Sequence, residues 1–162
     1  MLVEMRTRPL APDERPWLAE QFTERWGSTQ IVSRGQVQDA SKLPALVCER
    51  AGEIVGVATL TIRDRQCELV TIDAFSERAG VGTALVTAAI EEARRSACER
   101  LWLITTNDNV DALRFYQRRG FRLSALHRGA VDAARELGPE IPLLGAHGIP
   151  IHDELELEIP LG

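Results

Sequence analysis

The stretch SERAGVGTALV, residues 76–86, places Gly80 and Gly82 directly ahead of a run with helical spacing. An apolar, strand-like run at residues 69–72 precedes it, so the two glycines fall in a turn from a strand to a helix. The first N–H groups of a helix have no partner within the helix, and glycine lets a ligand approach the backbone closely. The turn therefore suits an anion such as a phosphate. A purely structural turn is the alternative.

Two well-known phosphate-binding patterns do not fit this turn. A P-loop requires Gly-Lys-Ser/Thr, and the stretch contains no lysine. A dinucleotide-binding loop requires a third glycine three residues after the second, where Leu85 stands. An anion site of another kind and a structural turn both stay open from these residues alone.

Strands and helices follow one another along the rest of the chain. Short turns separate the apolar runs at residues 45–48, 54–62 and 69–72, which predicts an antiparallel meander. Further strands are predicted at residues 1–10, 100–106, 121–127 and 153–161. Helices are predicted at residues 12–27, 81–97 and 110–120. A looser, partly helical stretch is expected between the end of the first helix and about residue 43. This order indicates an α/β or α+β fold with a mixed sheet.

Composition narrows the class of function. The chain has 162 residues, the size of one domain, and its formal net charge of -5 argues against nucleic acid or an anionic membrane as the main partner. It contains no apolar run long enough to span a membrane and no signal-peptide segment at its start, so a cytoplasmic location is expected. Cys48, Cys67 and Cys98 form no CxxC pair, so we expect buried small side chains and no metal site.

Two motifs together indicate a family. The stretch ERAGVGTAL, residues 77–85, is followed by NDNVDALRFYQRRGF, residues 107–121. In this order and at this separation they resemble the GNAT superfamily of acetyl-CoA-dependent N-acetyltransferases. That family has a Gln/Arg-x-x-Gly-x-Gly/Ala loop and, downstream, an Asn-x-x-Ala-x-x-hydrophobic-Tyr-x-x-x-Gly-Phe helix. The second pattern is matched at Asn109, Ala112, Phe115, Tyr116, Gly120 and Phe121. The resemblance is good over residues 45–126, loose before them, and absent over residues 129–152.

The resemblance implies a fold and an activity. The expected fold is a mixed, mostly antiparallel sheet of about six to seven strands flanked by helices. The whole chain, residues 1–162, would be one such domain, with an insert at about 128–152 near the acceptor site. The expected reaction moves an acetyl group from acetyl-CoA to a primary amine of a small molecule or peptide, by direct attack in a ternary complex. The alternative is a non-catalytic module that binds or senses acyl-CoA. Family members often form homodimers, so a homodimer is an expected assembly.

The resemblance also implies roles for single residues. Tyr116 matches the position that often protonates the leaving thiolate, with core packing as the alternative. For the general base we favour Glu68, with Asp73 second, although strand alternation puts them on opposite faces unless a bulge changes the phase. The alternative is that Glu68 and Asp73 are solvated surface carboxylates and that an ordered water accepts the amine proton. The expected cofactor contacts are Ile72, Asp73, Ala74, Arg78, Ala79, Gly80, Val81, Gly82, Thr83, Asn109, Ala112 and Tyr116.

Three further expectations concern charged residues. Glu77 occupies the slot normally held by Gln or Arg, so we expect it to turn to solvent while Arg78 or Arg118 supplies positive charge. Near the insert, the candidate acceptor contacts are His127, Arg128, His147, His152 and Asp153. On the last strand, Glu154, Glu156 and Glu158 alternate with apolar residues, which predicts a solvated face. The alternative is that these carboxylates attract a cationic amine acceptor.

Overall fold

The computed structural model describes residues 4–75, 80–137 and 140–162. The strands are β1 (Met5–Pro9), β2 (Gln30–Ser33), β3 (Gln36–Asp39), β4 (Ala45–Arg50), β5 (Glu53–Arg63), β6 (Gln66–Ala74), β7 (Arg100–Thr106), β8 (Arg122–His127) and β9 (Glu154–Pro160). The helices are α1 (Arg15–Trp26), α2 (Val81–Arg95), α3 (Val110–Arg118) and α4 (Ala130–Ala134), with short 3-10 turns between some elements. All strands except β2 and β3 belong to one seven-stranded, mostly antiparallel sheet.

The residues group into two compact units. The first comprises Met1–Thr29, Asp39–Leu101 and Pro160–Gly162, and the second comprises Gln30–Gln38 and Trp102–Ile159. In the first unit the strand order is β1-β4-β5-β6, and in the second it is β7-β9-β8.

The first unit is built on the predicted meander. Two-residue turns at Ala51-Gly52 and Asp64-Arg65 join β4 to β5 and β5 to β6, and all four residues have positive φ angles. This is the backbone of a type I′ turn, whose twist matches that of the strands it joins. The prediction of three antiparallel strands is therefore confirmed.

Helix α2 packs closely on this meander because Gly56 has no side chain. A Cβ atom at Gly56 would lie 2.6 Å from Val81 Cγ1 and 3.1 Å from Leu85 Cδ1. Both of these α2 residues are buried. The N-terminus of α2 is thus fixed against β5.

Helix α1 confirms the predicted first helix, with Gly27 as its left-handed C-cap at φ +75°. It buries Leu18 and Phe22. At its start, the Arg15 guanidinium donates hydrogen bonds to the carbonyls of Ser41 and Leu43. The helix is therefore tied to the segment that leads into β4.

The prediction of a partly helical stretch up to residue 43 is wrong. Strands β2 and β3 form a hairpin there, with Arg34 at φ +49° and Gly35 at φ +75° as its turn. The β-branched residues of the two strands favour extended backbone, and the Arg-Gly turn closes the pair. The only helical turn in this stretch is the 3-10 turn at Ala40–Lys42. By contrast, the three cysteines are buried free thiols, as predicted.

Candidate active site

The predicted site residues fall into two groups, one in each unit. The first unit holds Glu68, Ile72, Asp73, Ala74, Gly80, Val81, Gly82 and Thr83, and the second holds Asn109, Ala112 and Tyr116. Arg78 and Ala79, like Glu77, lie outside the described residues.

A β-bulge in β6 decides which way its carboxylates face. Thr59 of β5 pairs with Thr71 of β6, whereas the next residue of β5, Leu60, pairs with Leu69. Val70 is therefore an extra residue in β6, and it shifts the alternation of side chains by one position. The partners of Glu68 and Asp73 on β5 are Thr61 and Val57, four residues apart and on one face. Glu68 and Asp73 consequently share a face, because the bulge changes the phase.

The same strand orients two backbone N–H groups. The Phe75 N–H donates to the Val55 carbonyl at 2.8 Å. In an antiparallel ladder, hydrogen-bonded pairs alternate with pairs that are not hydrogen-bonded, so Asp73 also bonds to its partner on β5. The intervening N–H groups of Ile72 and Ala74 therefore point away from β5. Both residues are among the expected cofactor contacts.

Asp73 has an uncommon environment for a carboxylate. Its side chain is 18% exposed, and its Oδ2 is a buried atom with no hydrogen-bond partner among the residues that the structure describes. Arg25 of α1 approaches that oxygen with Nε at 3.8 Å, which makes an ion pair without a hydrogen bond. Burial raises the pKa of Asp73, and the charge of Arg25 opposes this rise. The carboxyl is therefore more basic than an ordinary surface aspartate.

Glu68 is also removed from water. It is 7% exposed, so the alternative of a solvated surface carboxylate does not hold for this residue. On the same face, the buried hydroxyls of Thr59 and Thr71 lie 2.6 Å apart and share a hydrogen bond. A polar row thus runs along this face of β5 and β6 between the two carboxylates.

The N-terminus of α2 has the conformation that the glycine motif predicts. Gly80 is its N-cap at φ +104°, a left-handed backbone that glycine adopts without strain. The Ala84 N–H donates to the Gly80 carbonyl at 2.9 Å. The N–H groups of Val81, Gly82 and Thr83 therefore precede the hydrogen-bonded ladder of the helix. The end of α2 thus offers backbone donors together with the positive end of the helix dipole.

In the second unit, Asn109 is the N-cap of α3. Its Oδ1 accepts a hydrogen bond from the Ala112 N–H at 3.1 Å, so its side-chain oxygen has a structural partner. Tyr116 is 7% exposed, and its ring makes edge contacts with Phe115 and Phe121 at centroid distances of 5.1 and 5.3 Å. Burial raises the pKa of Tyr116, so its hydroxyl stays protonated at neutral pH.

The insert is fastened to the loop that precedes α3. Asn107 Oδ1 accepts hydrogen bonds from the N–H groups of His152 and Asp153, at 2.9 and 3.0 Å. The buried Asp108 carboxylate accepts from the Thr106 hydroxyl at 2.5 Å and from the Ala146 N–H at 2.9 Å. These bonds tie the C-terminal half of the insert to that loop.

The candidate acceptor contacts near the insert have partners of their own. His147 lies 2.9 Å from Asp111, and His152 lies 3.3 Å from Asp132. His127 lies 3.0 Å from Glu156, and Asp153 accepts from the Gly129 N–H at 2.8 Å. Arg128 is exposed.

The prediction of a solvated glutamate face on β9 is wrong for two of its three residues. Glu154 is 4% exposed and Glu156 is 6% exposed, while Glu158 is half-buried. The hairpin that the sequence did not predict contributes to this burial, because Arg34 at its tip donates its backbone N–H to Glu154 at 3.2 Å. The Arg34 guanidinium lies 3.6 Å from Glu156 and 5.5 Å from the centroid of the Trp102 ring.

Sequence reasoning missed the cluster around Asp73 on α1. The Arg25 guanidinium lies 4.1 Å from the centroid of the Phe75 ring, and Trp17 contacts that ring edge-on at 5.9 Å. Arg25 and Trp17 are eight residues apart, close to the two-turn repeat of a helix, so they share a face. That spacing was a usable signal, but nothing in the sequence pairs it with β6.

Two further findings concern metals and membranes. In the described ranges, no group of three or more His, Cys, Asp or Glu residues lies close enough together to hold a metal ion. Of the helices that the structure describes, none is long and apolar enough to cross a membrane.

Comparison with known proteins identifies the class as acetyltransferases. A model of the Acetyltransferase (GNAT) family matches residues 7–121. The uncharacterized protein YdhI of Bacillus subtilis (strain 168) is 39% identical over 139 residues, which cover 85% of this chain and 87% of that protein. The uncharacterized protein YxbD of the same strain is 42% identical over 137 residues, which cover 84% of this chain and 86% of that protein. The chain belongs to the GNAT family of acetyltransferases.

Solved structures with the same fold extend over nearly the whole chain. A Bacillus subtilis acetyltransferase in complex with CoA has a TM-score of 0.69 at 19% identity, covering 99% of this chain and 100% of that chain. A GNAT family acetyltransferase from Elizabethkingia anophelis with acetyl-CoA bound has a TM-score of 0.70 at 19% identity, covering 97% of this chain and 98% of that chain. An IAA acetyltransferase from Bacillus cereus has a TM-score of 0.69 at 22% identity, covering 98% and 100%. The predicted fold class and family are therefore confirmed.

Proposed function

We propose that this protein is an N-acetyltransferase that moves the acetyl group of acetyl-CoA to a primary amine of a small molecule or peptide. The observation that carries the proposal is the arrangement of β6 beside its bulge. One short segment presents two N–H groups turned away from β5 and a buried carboxyl oxygen that makes no hydrogen bond within the described ranges. Acyl transfer to an amine needs donors for the developing oxyanion and an acceptor for the amine proton.

The chemistry assigns a role to each group. The N–H groups of Ile72 and Ala74 donate to the thioester carbonyl oxygen, where negative charge develops. An acceptor that arrives as an ammonium first gives one proton to Asp73, which frees the nitrogen lone pair. The nitrogen then forms a bond to the carbonyl carbon in a direct attack, the carbon–sulfur bond breaks, and the nitrogen releases its second proton to solvent. The protonated hydroxyl of Tyr116 donates to the departing thiolate, the role that its motif position implies.

Asp73 is the better candidate for the base, with Glu68 second. Burial raises the pKa of Asp73, which brings a carboxyl closer to the pH at which it must accept a proton. Its Oδ2 accepts no hydrogen bond from any described residue, whereas Glu68 already interacts with a neighbouring group. An acceptor ammonium would therefore find a lone pair at Asp73 without displacing an existing partner.

The N-terminus of α2 would hold the pyrophosphate of acetyl-CoA. The N–H groups of residues 81–83 supply backbone donors, and the left-handed Gly80 allows a close approach. Two solved structures with this fold contain CoA or acetyl-CoA. Those relatives also align over nearly the whole chain, which supports a single acetyltransferase domain that includes the insert at 128–152. No step of the proposed reaction calls for a metal.

The remaining proposals concern partners and location. The net charge of -5 favours a cationic amine over nucleic acid or an anionic membrane as the partner. We further propose a cytoplasmic protein that forms a homodimer, on the basis of its resemblance to other family members. Size-exclusion chromatography with light scattering tests the assembly.

Titration calorimetry with acetyl-CoA and with CoA tests the cofactor site. We expect both to bind, and we expect Gly80→Ala to weaken both, because a side chain at φ +104° is strained and shifts the donors at the start of α2. Gly129→Ala is a matched control, since Gly129 is the left-handed N-cap of α4 and a Cβ there meets nothing within 4 Å. Equal losses in the two variants would contradict the assignment.

An amine panel then tests the reaction. Polyamines, amino acids, aminoglycoside antibiotics and short peptides are incubated with acetyl-CoA, and both the free thiol and the acetylated amine are measured. For a panel member that is acetylated, Asp73→Asn is expected to lower kcat by on the order of 100-fold. Binding of acetyl-CoA without acetylation of any amine would favour the non-catalytic acyl-CoA-binding module instead.

A further inference from the structure

Arg25 forms an ion pair with Asp73 without a hydrogen bond between them. Its Nε lies 3.8 Å from Asp73 Oδ2, close enough for the two charges to act on each other but too far for a hydrogen bond. The guanidinium lies over the Phe75 ring, with its carbon 4.1 Å from the ring centroid. Trp17 in turn supports that ring edge-on. The arginine is therefore held by an aromatic face beside the carboxylate.

An arginine beside a carboxylate usually both places a positive charge there and forms hydrogen bonds to it, and here Arg25 does only the first. A guanidinium that binds a carboxylate through two N–H groups occupies the lone pairs that a substrate would need. Here the positive charge acts on Asp73, while no described residue occupies the hydrogen-bonding positions of Oδ2. The cation–π contact with Phe75 provides a reason why Arg25 does not move closer.

We propose that Arg25 is a positioning residue for Asp73, which holds the carboxylate ionised and leaves Oδ2 available to the acceptor ammonium. This inference rests on the proposed function, because it assigns Arg25 a part in the same reaction. It names a residue on α1 that neither the glycine loop nor the α3 motif includes. It also predicts that the acceptor reaches Asp73 as a cation, with its first contact at Oδ2.

Among the residues that the structure describes, Arg25 of α1 is the cation that acts on Asp73. From β5, the residues on this face are the uncharged Val57, Thr59 and Thr61. On β6 itself, Glu68 shares the face. Burial raises the pKa of Asp73 and Arg25 lowers it. Removing Arg25 leaves burial unopposed, so Asp73 should then take up its proton at higher pH.

The first experiment measures Asp73 directly and needs no acceptor. Protein labelled with ¹³C at the aspartate carboxyl carbons is titrated by NMR, and Asp73→Asn assigns the resonance. We expect Arg25→Gln to move the Asp73 titration to higher pH and Arg25→Lys to restore part of the difference. Arg94→Gln removes the same charge from an exposed position on α2 and should leave the titration unchanged. An unchanged Asp73 titration in Arg25→Gln would overturn the proposal.

The second experiment follows the pH dependence of kcat/KM with an amine that the panel identifies. In Arg25→Gln the acid limb should move to higher pH, so the loss of activity is severalfold at low pH and small where Asp73 is ionised in both proteins. Phe75→Leu, which keeps the arginine but removes its aromatic support, should give an intermediate profile. A titration that moves while the acid limb stays fixed would show that Arg25 does not act on the reaction.

The two experiments separate the possible failures. If no amine in the panel is acetylated by the wild type, the proposed function fails, and the NMR titration still decides whether Arg25 controls Asp73. If amines are acetylated and the titration does not respond to Arg25, only the role of Arg25 fails. Circular dichroism and the affinity for acetyl-CoA, both expected to be unchanged, exclude a general loss of structure.

Discussion

The hydrogen bond between the hydroxyls of Thr59 and Thr71 should stabilise the bulged part of the sheet. The two oxygens are 2.6 Å apart, and the residues are 0% and 7% exposed. Thr71→Val keeps the shape of the side chain and leaves the Thr59 hydroxyl buried without this partner. The lost bond costs about 1–3 kcal/mol. Burial of the methyl group that replaces the hydroxyl stabilises the variant by up to about 0.8 kcal/mol. Taking the middle of the cost range, about 2 kcal/mol, we expect a net loss of about 1–2 kcal/mol in the free energy of unfolding.

A double-mutant cycle measured by urea denaturation tests this value. Thr59→Val should cost a similar amount, whereas the double variant should be close to wild type, because no buried hydroxyl is then left unpaired. Each single variant should melt roughly 2–8 °C lower, given about 2–4 °C per kcal/mol for a chain of this size. Thr7→Val, at an exposed position of β1, is the control. Additive losses in the double variant would refute the reasoning.

Two further predictions concern the first unit. Gly56→Ala should lower the free energy of unfolding by about 1–3 kcal/mol in urea, because its Cβ would lie 2.6 Å from Val81 Cγ1; an unchanged midpoint would mean that α2 moves away freely. Hydrogen bonds from Arg8 lower the pKa of Glu14 to about 2, so its contribution to stability is full above the ordinary value of about 4.3 and is lost as pH falls towards 2. The difference between wild type and Glu14→Gln should therefore shrink over that range, and a constant difference would contradict the assignment.

Much of the fold could be predicted because local signals and packing agree. The three strands of the meander are apolar, and connections of only two residues, as at Ala51-Gly52 and Asp64-Arg65, favour antiparallel hairpins with type I′ turns. The hairpin of β2 and β3 was missed because its strands are four residues each and mostly half-buried or exposed. Short polar strands carry little periodicity, and their Arg-Gly turn is less distinctive than Asn-Gly.

The candidate site was predicted in part, and the missing part follows from burial. Motif spacing placed Gly80 at the start of α2 and Asn109 at the start of α3, because caps depend on neighbours in sequence. The burial of Glu154 and Glu156 was missed because it depends on Arg34, more than a hundred residues away in the chain. Alternation of polar and apolar residues gives the faces of a strand, but not which face another element covers.

The bulge shows how one residue can determine chemistry without taking part in it. If β6 paired with β5 without interruption, Glu68 and Asp73 would face opposite sides, since they are five residues apart. The extra Val70 instead brings both carboxylates and the Thr59–Thr71 pair to one face. Ile72 and Ala74 remain at positions whose N–H groups point away from β5. The proposed oxyanion donors and the proposed base can therefore come from adjacent residues of one strand, an arrangement that a register shift of one residue would remove.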